Sequence, residues 1–178
     1  MKKILKLAFI LFLVSAIVAG VLGVVNELTK DRIAEIAATK TAEAYAAVLE
    51  ADSYTPVEYK GDDTRITSIS QADDKGYVVE ITVSGSQGAI GMVVGVDNDM
   101  KCTGISIIET SETSGLGAVA SSTSDKGVAF RDQFIGQGAD VALTKNGGEI
   151  NALTGATITS TAVTGAVAAA IAAVETLG

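Results

Sequence analysis

The hydrophobic pattern divides the chain into segments of different period. Leu7 to Val25 is an apolar block without a charged residue. As a helix rising about 1.5 Å per residue, it matches the roughly 30 Å hydrocarbon core of a bilayer, so a transmembrane helix is predicted over 7–25. From Thr29 to Ala51 the pattern changes to Ile33, Ile36, Ala37, Ala44, Val48 and Ala51 at helical spacing, with Lys, Arg and Glu between them. That is an amphipathic connecting helix, placed at 26–55 and expected to pack on its own domain. The period then falls to two. Tyr77, Val79, Ile81 and Val83 alternate with more polar residues, and Ile90, Met92, Val94 and Val96 do the same after Ser84-Gly85-Ser86-Gln87-Gly88. A hairpin follows from this. Past Asp97-Asn98-Asp99, the segment Cys102–Ile108 predicts a third antiparallel strand of a meander, with Cys102 packing as a small hydrophobe. Val128, Phe130, Phe134 and Ile135 predict a short helix closing the core, Val141–Thr144 a last strand, and Ala162–Leu177 a helix of about four turns next to Gly178. The expected architecture is α+β: one transmembrane helix, then a single domain over 56–178 with a mostly antiparallel sheet and flanking helices.

Charge gives the apolar block a direction. Lys2, Lys3 and Lys6 precede it without an acidic residue, whereas Glu27, Lys30, Asp31 and Arg32 follow as a mixed set. The positive-inside bias places residues 1–6 in the cytoplasm and everything after Asn26 outside it. A cleaved signal peptide is the competing reading, with Ala16, Ala19 and Gly20 able to imitate a cleavage site, and it exports the same residues. No cysteine closes the block, which excludes a lipoprotein anchor.

Composition narrows the chemistry. The net charge is −8 and no basic stripe is present, which argues against nucleic acid as a partner. The chain has no histidine, and Cys102 is its one cysteine. It cannot build a disulfide within itself or a multi-cysteine metal centre, and acid–base or nucleophilic catalysis of the usual histidine-assisted kinds has no candidate. No catalytic residue and no metal site are therefore expected. Redox chemistry through an organic cofactor stays open, because the cofactor supplies the reactivity.

The segment with chemical promise is Thr154-Gly155-Ala156-Thr157-Ile158-Thr159-Ser160, directly before the C-terminal helix. Its hydroxyls, small residues and free backbone N–H groups suit an anion at a helix N-terminus. The same residues read equally as helix caps and a turn. Upstream, Glu112-Thr113-Ser114-Gly115-Leu116-Gly117 carries glycines that let backbone approach a flat ring, with Leu116 able to cover an apolar edge. A plain tight turn is the alternative there. Glu112 reads as a ligand-side contact or a loop charge, and Lys145 as a cation near an anionic ligand or a solvated surface lysine.

Both motifs, in this order, resemble the FMN-binding domain found in the G subunits of Rnf ion-translocating ferredoxin:NAD oxidoreductase complexes and in the related C subunits of sodium-pumping NADH:quinone oxidoreductases. Thr154-Gly155-Ala156-Thr157, followed by Ile158-Thr159-Ser160, is similar to that family's flavinylation motif, and Glu112–Gly117 to its Glu-Thr-Pro-Gly-Leu-Gly loop. A short N-terminal anchor, a long intervening region and the Gln133-Phe134 segment recur in the same order, so the resemblance covers most of the chain. Two departures stand out: Asn151 occupies a position that is usually acidic, and Ser114 replaces the loop proline.

The resemblance implies covalent FMN, joined through its phosphate to Thr157 by a separate flavin transferase that consumes FAD and releases AMP. It implies contacts from Thr154, Gly155, Ala156, Thr159, Ser160, Glu112, Thr113, Gly115, Leu116 and Gly117; Lys145 joins them only by its charge, as a cation able to approach the flavin or its phosphate. The implied role is that of an electron-transfer subunit of a translocase, not catalytic alone, anchored in the cell membrane with lipid around its helix. Its partners are the other membrane subunits of a complex coupling ferredoxin:NAD electron transfer to sodium or proton export. A C-type subunit of the quinone reductase, a membrane-tethered module binding an anion reversibly, and a structural scaffold are the alternatives.

Overall fold

The computed structural model describes residues 2–177, and Gly178, the expected stop of the last helix, lies outside them. The chain divides into two units, 1–40 and 41–178. Helix α1 runs from Lys2 to Val48 without a break. Its apolar block, Leu7 to Val25, is exposed along its whole length, as a lipid-facing surface requires.

In the second unit, five antiparallel strands form a meander in the order β1-β2-β3-β4-β5: Tyr54–Val57, Ile66–Ala72, Gly76–Ser84, Ala89–Asp97 and Cys102–Thr110. The predicted hairpin is β3–β4, closed by the Gly85 N–H donating to the Gly88 carbonyl at 2.7 Å. The predicted third strand is β5. The reversal between β4 and β5 is set by Asp97, whose carboxylate accepts from the Asp99 and Lys101 N–H groups. Strands β1 and β2 were not expected from the pattern. β1 contains Pro56, which an edge strand tolerates, and β2 is Ile-Thr-Ser-Ile-Ser-Gln-Ala, too polar to read as alternation.

One face of the sheet carries the core: Ile69, Val79, Ile81, Ile90, Met92 and Val94 pack beneath helix α3, Thr157–Glu175, which lies across β3, β4 and β5. On the opposite face the last turns of α1 seat through Ala44 and Val48 against Ala72, Val78 and Val93. The Thr103 hydroxyl donates to the Val48 carbonyl, and the Asp73 carboxylate accepts from the Asp52 and Ser53 N–H groups and turns the chain toward β1. The helix therefore ends at Val48 rather than Ala51, and of its predicted apolar positions Ile33, Ile36 and Ala37 stay exposed.

Two further expectations change. Helix α2, Asp125–Asp132, buries Phe130, and Phe134 beyond its end is buried too, while Val128 and Ile135 are exposed. Val141–Thr144 is not a strand. Val141 and Leu143 plug the core, Leu143 makes one parallel bridge to Ile150, and Thr144–Asn146 forms a 3-10 turn that reverses the chain through left-handed Gly147. Cys102 packs as expected, and burial pushes its thiol pKa up to about 12, which removes it from thiolate chemistry.

Candidate functional site

Helix α3 begins five residues' span before the predicted Ala162, at Thr157 itself, so the Thr-rich motif supplies both the approach and the first turn. Its N-cap is Ala156, which makes no side-chain capping bond. The caps expected of the threonines and Ser160 are thus absent from the helix end. The first N–H groups of a helix have no intrahelical acceptor, and those of Thr157 and Ile158, both exposed residues, remain open to a ligand, while that of buried Thr159 has no backbone partner either. Ser160 holds the turn instead: its buried hydroxyl accepts from the Leu153 N–H and donates to the Ala156 carbonyl, both at 2.9 Å. Gly155, at φ +75°, takes the left-handed conformation that lets the chain enter the helix.

Two cavities adjoin this turn. A smaller one, about 360 Å³, is walled by Thr113, Gly117, Gly155, Ala156, Thr157 and Thr159, with Ser86, Gln87 and Glu112 on its far side. A larger one, about 490 Å³, lies beside α2, between Val119, Ala129, Phe130 and Leu153, with Lys126, Gln133, Asn151 and Thr154 around it. Leu116 borders both cavities, and its side chain is 45% exposed. The Thr157 side chain is exposed at the smaller cavity, whereas Thr159, two residues further, is buried.

The Ser111–Gly117 loop is shaped by its own backbone: the Thr113 carbonyl accepts from both Leu116 and Ala118 N–H groups, and Gly115 sits at φ +78°. The loop's one charge is turned inward. Glu112 accepts from the Ser86 N–H at 2.7 Å and the Gln87 N–H at 3.0 Å with one oxygen, and from the Thr159 hydroxyl with the other. Burial opposes its charge, but the Thr159 hydroxyl and the Gln87, Ser86 and Gly88 N–H groups outweigh burial and hold the carboxyl below the usual carboxylate range.

The larger cavity is tied differently. Arg131 donates to the Ala120 and Ser122 carbonyls, fixing the 3-10 turn Gly117–Ser121 onto α2. The Gln133 side-chain carbonyl accepts from the Asn151 N–H at 2.8 Å.

The two sequence motifs, far apart in the chain, thus meet around one cavity. Of the predicted contacts, Thr154 borders the larger cavity, Ser160 faces the interior, and Lys145 lies on the 3-10 turn after Leu143 and borders neither cavity. The cation that borders the larger cavity is Lys126, which sequence reasoning missed. Ser86 and Gln87 were missed because they act through backbone N–H groups, which no side-chain pattern announces. Phe130 was found as core, and nothing in its sequence context marked it as a cavity wall as well.

The family model described as FMN-binding domain matches residues 85–172, and that of the RnfG N-terminal region matches residues 1–48. The G subunit of the ion-translocating oxidoreductase complex of Methanosarcina acetivorans is 33% identical over 96% of this chain and 94% of its own length. The G subunit of the Na(+)-translocating ferredoxin:NAD(+) oxidoreductase complex of Acetobacterium woodii is 34% identical over 93% of this chain and 89% of its own. Among solved structures, the C subunit of the Na(+)-translocating NADH-quinone reductase from Parabacteroides distasonis superposes with a TM-score of 0.52 at 19% identity, covering 76% of this chain and 80% of that one, a likeness of fold. With an N-terminal apolar helix, an FMN-binding domain and relatives that match over most of both lengths, the chain belongs to the G subunits of ion-translocating oxidoreductase complexes.

Proposed function

We propose that this subunit carries FMN covalently, through a phosphoester to Thr157, and relays electrons within an Rnf-type complex that couples ferredoxin:NAD electron transfer to export of sodium or protons. When bound, FMN supplies one- and two-electron chemistry that no side chain of this protein has. The observation that carries the reading is the exposed Thr157 at the first position of a helix without a side-chain cap, beside a cavity that shares Leu116 with a larger, more apolar one. Open N–H groups and the helix dipole at Thr157–Thr159 suit a phosphate. Leu116, Val119, Phe130 and Leu153 offer apolar surface to a flat ring, and Lys126, Gln133 and Asn151 offer polar contacts at its edge.

The rest of the chain fits a tethered relay. Helix α1 anchors the subunit through its apolar block, with the lysines before that block in the cytoplasm and the domain outside. That its relatives are subunits of multi-subunit complexes supports other membrane subunits as its partners, and a separate flavin transferase completes maturation. Permanent attachment prevents loss of flavin from an extracytoplasmic site. The G-type assignment is favoured over the quinone-reductase C type because the N-terminal region itself matches the G-type model.

Intact mass tests this directly. Co-expressed with a flavin transferase, the chain gains on the order of 440 Da, an FMN joined with loss of water, and a Thr157→Ala variant gains nothing. A ligand that dialysis removes would instead support the reversible anion-binding module, and an unmodified, colourless protein the scaffold.

A further inference from the structure

The buried Glu112 carboxylate has no part in holding a phosphate, since its charge has the wrong sign for that. It nevertheless joins three segments distant in the chain: the β3–β4 turn through Ser86 and Gln87, its own loop, and the first turn of α3 through Thr159. Space is kept for it. A Cβ at Gly85 or at Gly117 would run into the carboxylate, and at Gly117 also into the Thr159 hydroxyl. The helix it contacts has alanine, Ala156, at its N-cap, among the poorer caps, where Ser, Thr, Asp or Asn normally stabilises a helix. An ordinary capping side chain would take the N–H of the second or third helical residue. Glu112 brings negative charge to the same helix end through the Thr159 side chain, favourable to the dipole, and leaves those N–H groups free.

We infer that Glu112 is a positioning residue: paired with Thr159, it substitutes for a helix cap, fixing the first turn of α3 so that Thr157 is presented for attachment while its neighbouring N–H groups stay open to phosphate. This rests on the reading that Thr157 carries FMN. In the attachment step, the Thr157 oxygen–phosphorus bond forms as the pyrophosphate bond of FAD breaks; AMP leaves, the hydroxyl proton goes to solvent, and nothing is oxidised or reduced.

The test uses the full chain in detergent with a flavin transferase and FAD, following covalent incorporation by intact mass for wild type, Glu112→Gln, Thr159→Val and the double variant, with amide hydrogen exchange on each. Glutamine cannot accept at both places at once. Each single variant should lose about tenfold in kcat for incorporation, the scale of one charge-assisted hydrogen bond, with KM within about twofold. The double variant should lose no more than either single one. Exchange should quicken at Ser86, Gln87 and the first turn of α3, with β3–β5 unchanged. Wild-type rates in both single variants would overturn the inference while leaving Thr157 in place, and so would exchange that quickens throughout the sheet. Absence of added mass in the wild type would bring down the Thr157 reading itself.

Discussion

The two cavities that share Leu116 are built by opposite means. The smaller is fixed by directed bonds between distant segments: Glu112 reaches partners 25, 26 and 47 residues away in sequence. The larger is mostly shaped by apolar packing of α2 and the loops beside it. Hydrogen bonds fix where an atom sits, whereas packing fixes volume and excludes water. A ligand with an anionic tail and a flat apolar head would use the first to register its tail and the second to hold its ring. The difference also separates what each wall can lose: the polar one its function, the apolar one the fold.

Thr157→Ala sharpens that contrast most. It should abolish the added FMN mass completely, yet as an exposed substitution it should leave stability within about 0.5 kcal/mol of wild type. Intact mass and a urea titration read the two quantities. A residual covalent flavin would mean that another hydroxyl, such as Thr154, carries it.

On the other wall, Phe130→Ala should do the reverse. Phe130 is fully buried and meets Phe134 edge-to-face at 5.4 Å between ring centres, so truncation should cost about 3–5 kcal/mol. A shift in urea midpoint worth less than about 1 kcal/mol would show that the larger cavity tolerates collapse and is no rigid wall.

Ala156→Ser probes the boundary between the two. A serine hydroxyl at the N-cap can take one of the open N–H groups and should stabilise the protein by up to about 1 kcal/mol. By the same act it should slow flavin incorporation several-fold, on the scale of about 1 kcal/mol lost from phosphate binding. A variant that is both more stable and equally well flavinylated would show that the phosphate does not use those groups.

These effects mirror what the sequence made visible. β3 and β4 announce themselves because apolar residues alternate along them, and β5 because Ile105 and Ile107 share a face; β1 is a four-residue edge strand containing Pro56, and in β2, though it is paired on both sides, Thr, Ser and Gln dilute the signal. Both α1 and α3 are long and apolar enough to cross a membrane, but α3 is apolar because it covers the sheet, and its alanines pack between strands and solvent. At the site, the two motifs were legible because glycines and hydroxyls are constrained by backbone geometry. That Glu112 bonds to Thr159, and that Ser86 and Gln87 contribute N–H groups, depends on how the meander returns the chain, which no local window contains. The larger cavity was hidden because its apolar residues obey the same rules as core.

The smallest effect expected is on acid stability, and it isolates the polar wall. Glu112 has a folded-state pKa depressed below its unfolded value, ordinarily about 4.3. A depressed carboxylate contributes stability that is fully present above the unfolded pKa and is lost as pH falls through the folded one. Urea titrations of the wild type should therefore be flat in this contribution from neutrality down to about pH 5 and decline below it. Asp63 and Asp73, whose carboxyls are also held low by hydrogen bonds, decline over the same range, so the wild-type curve alone does not assign the loss. The comparison with Glu112→Gln does. Glutamine has no charge to lose, so the variant should start less stable at neutral pH and converge on the wild type as the wild type's Glu112 is protonated. Parallel curves at all acidic pH values would mean that the Ser86, Gln87 and Thr159 contacts stabilise the residue's shape and not its charge, leaving the helix dipole of α3 without the counter-charge on which its open end depends.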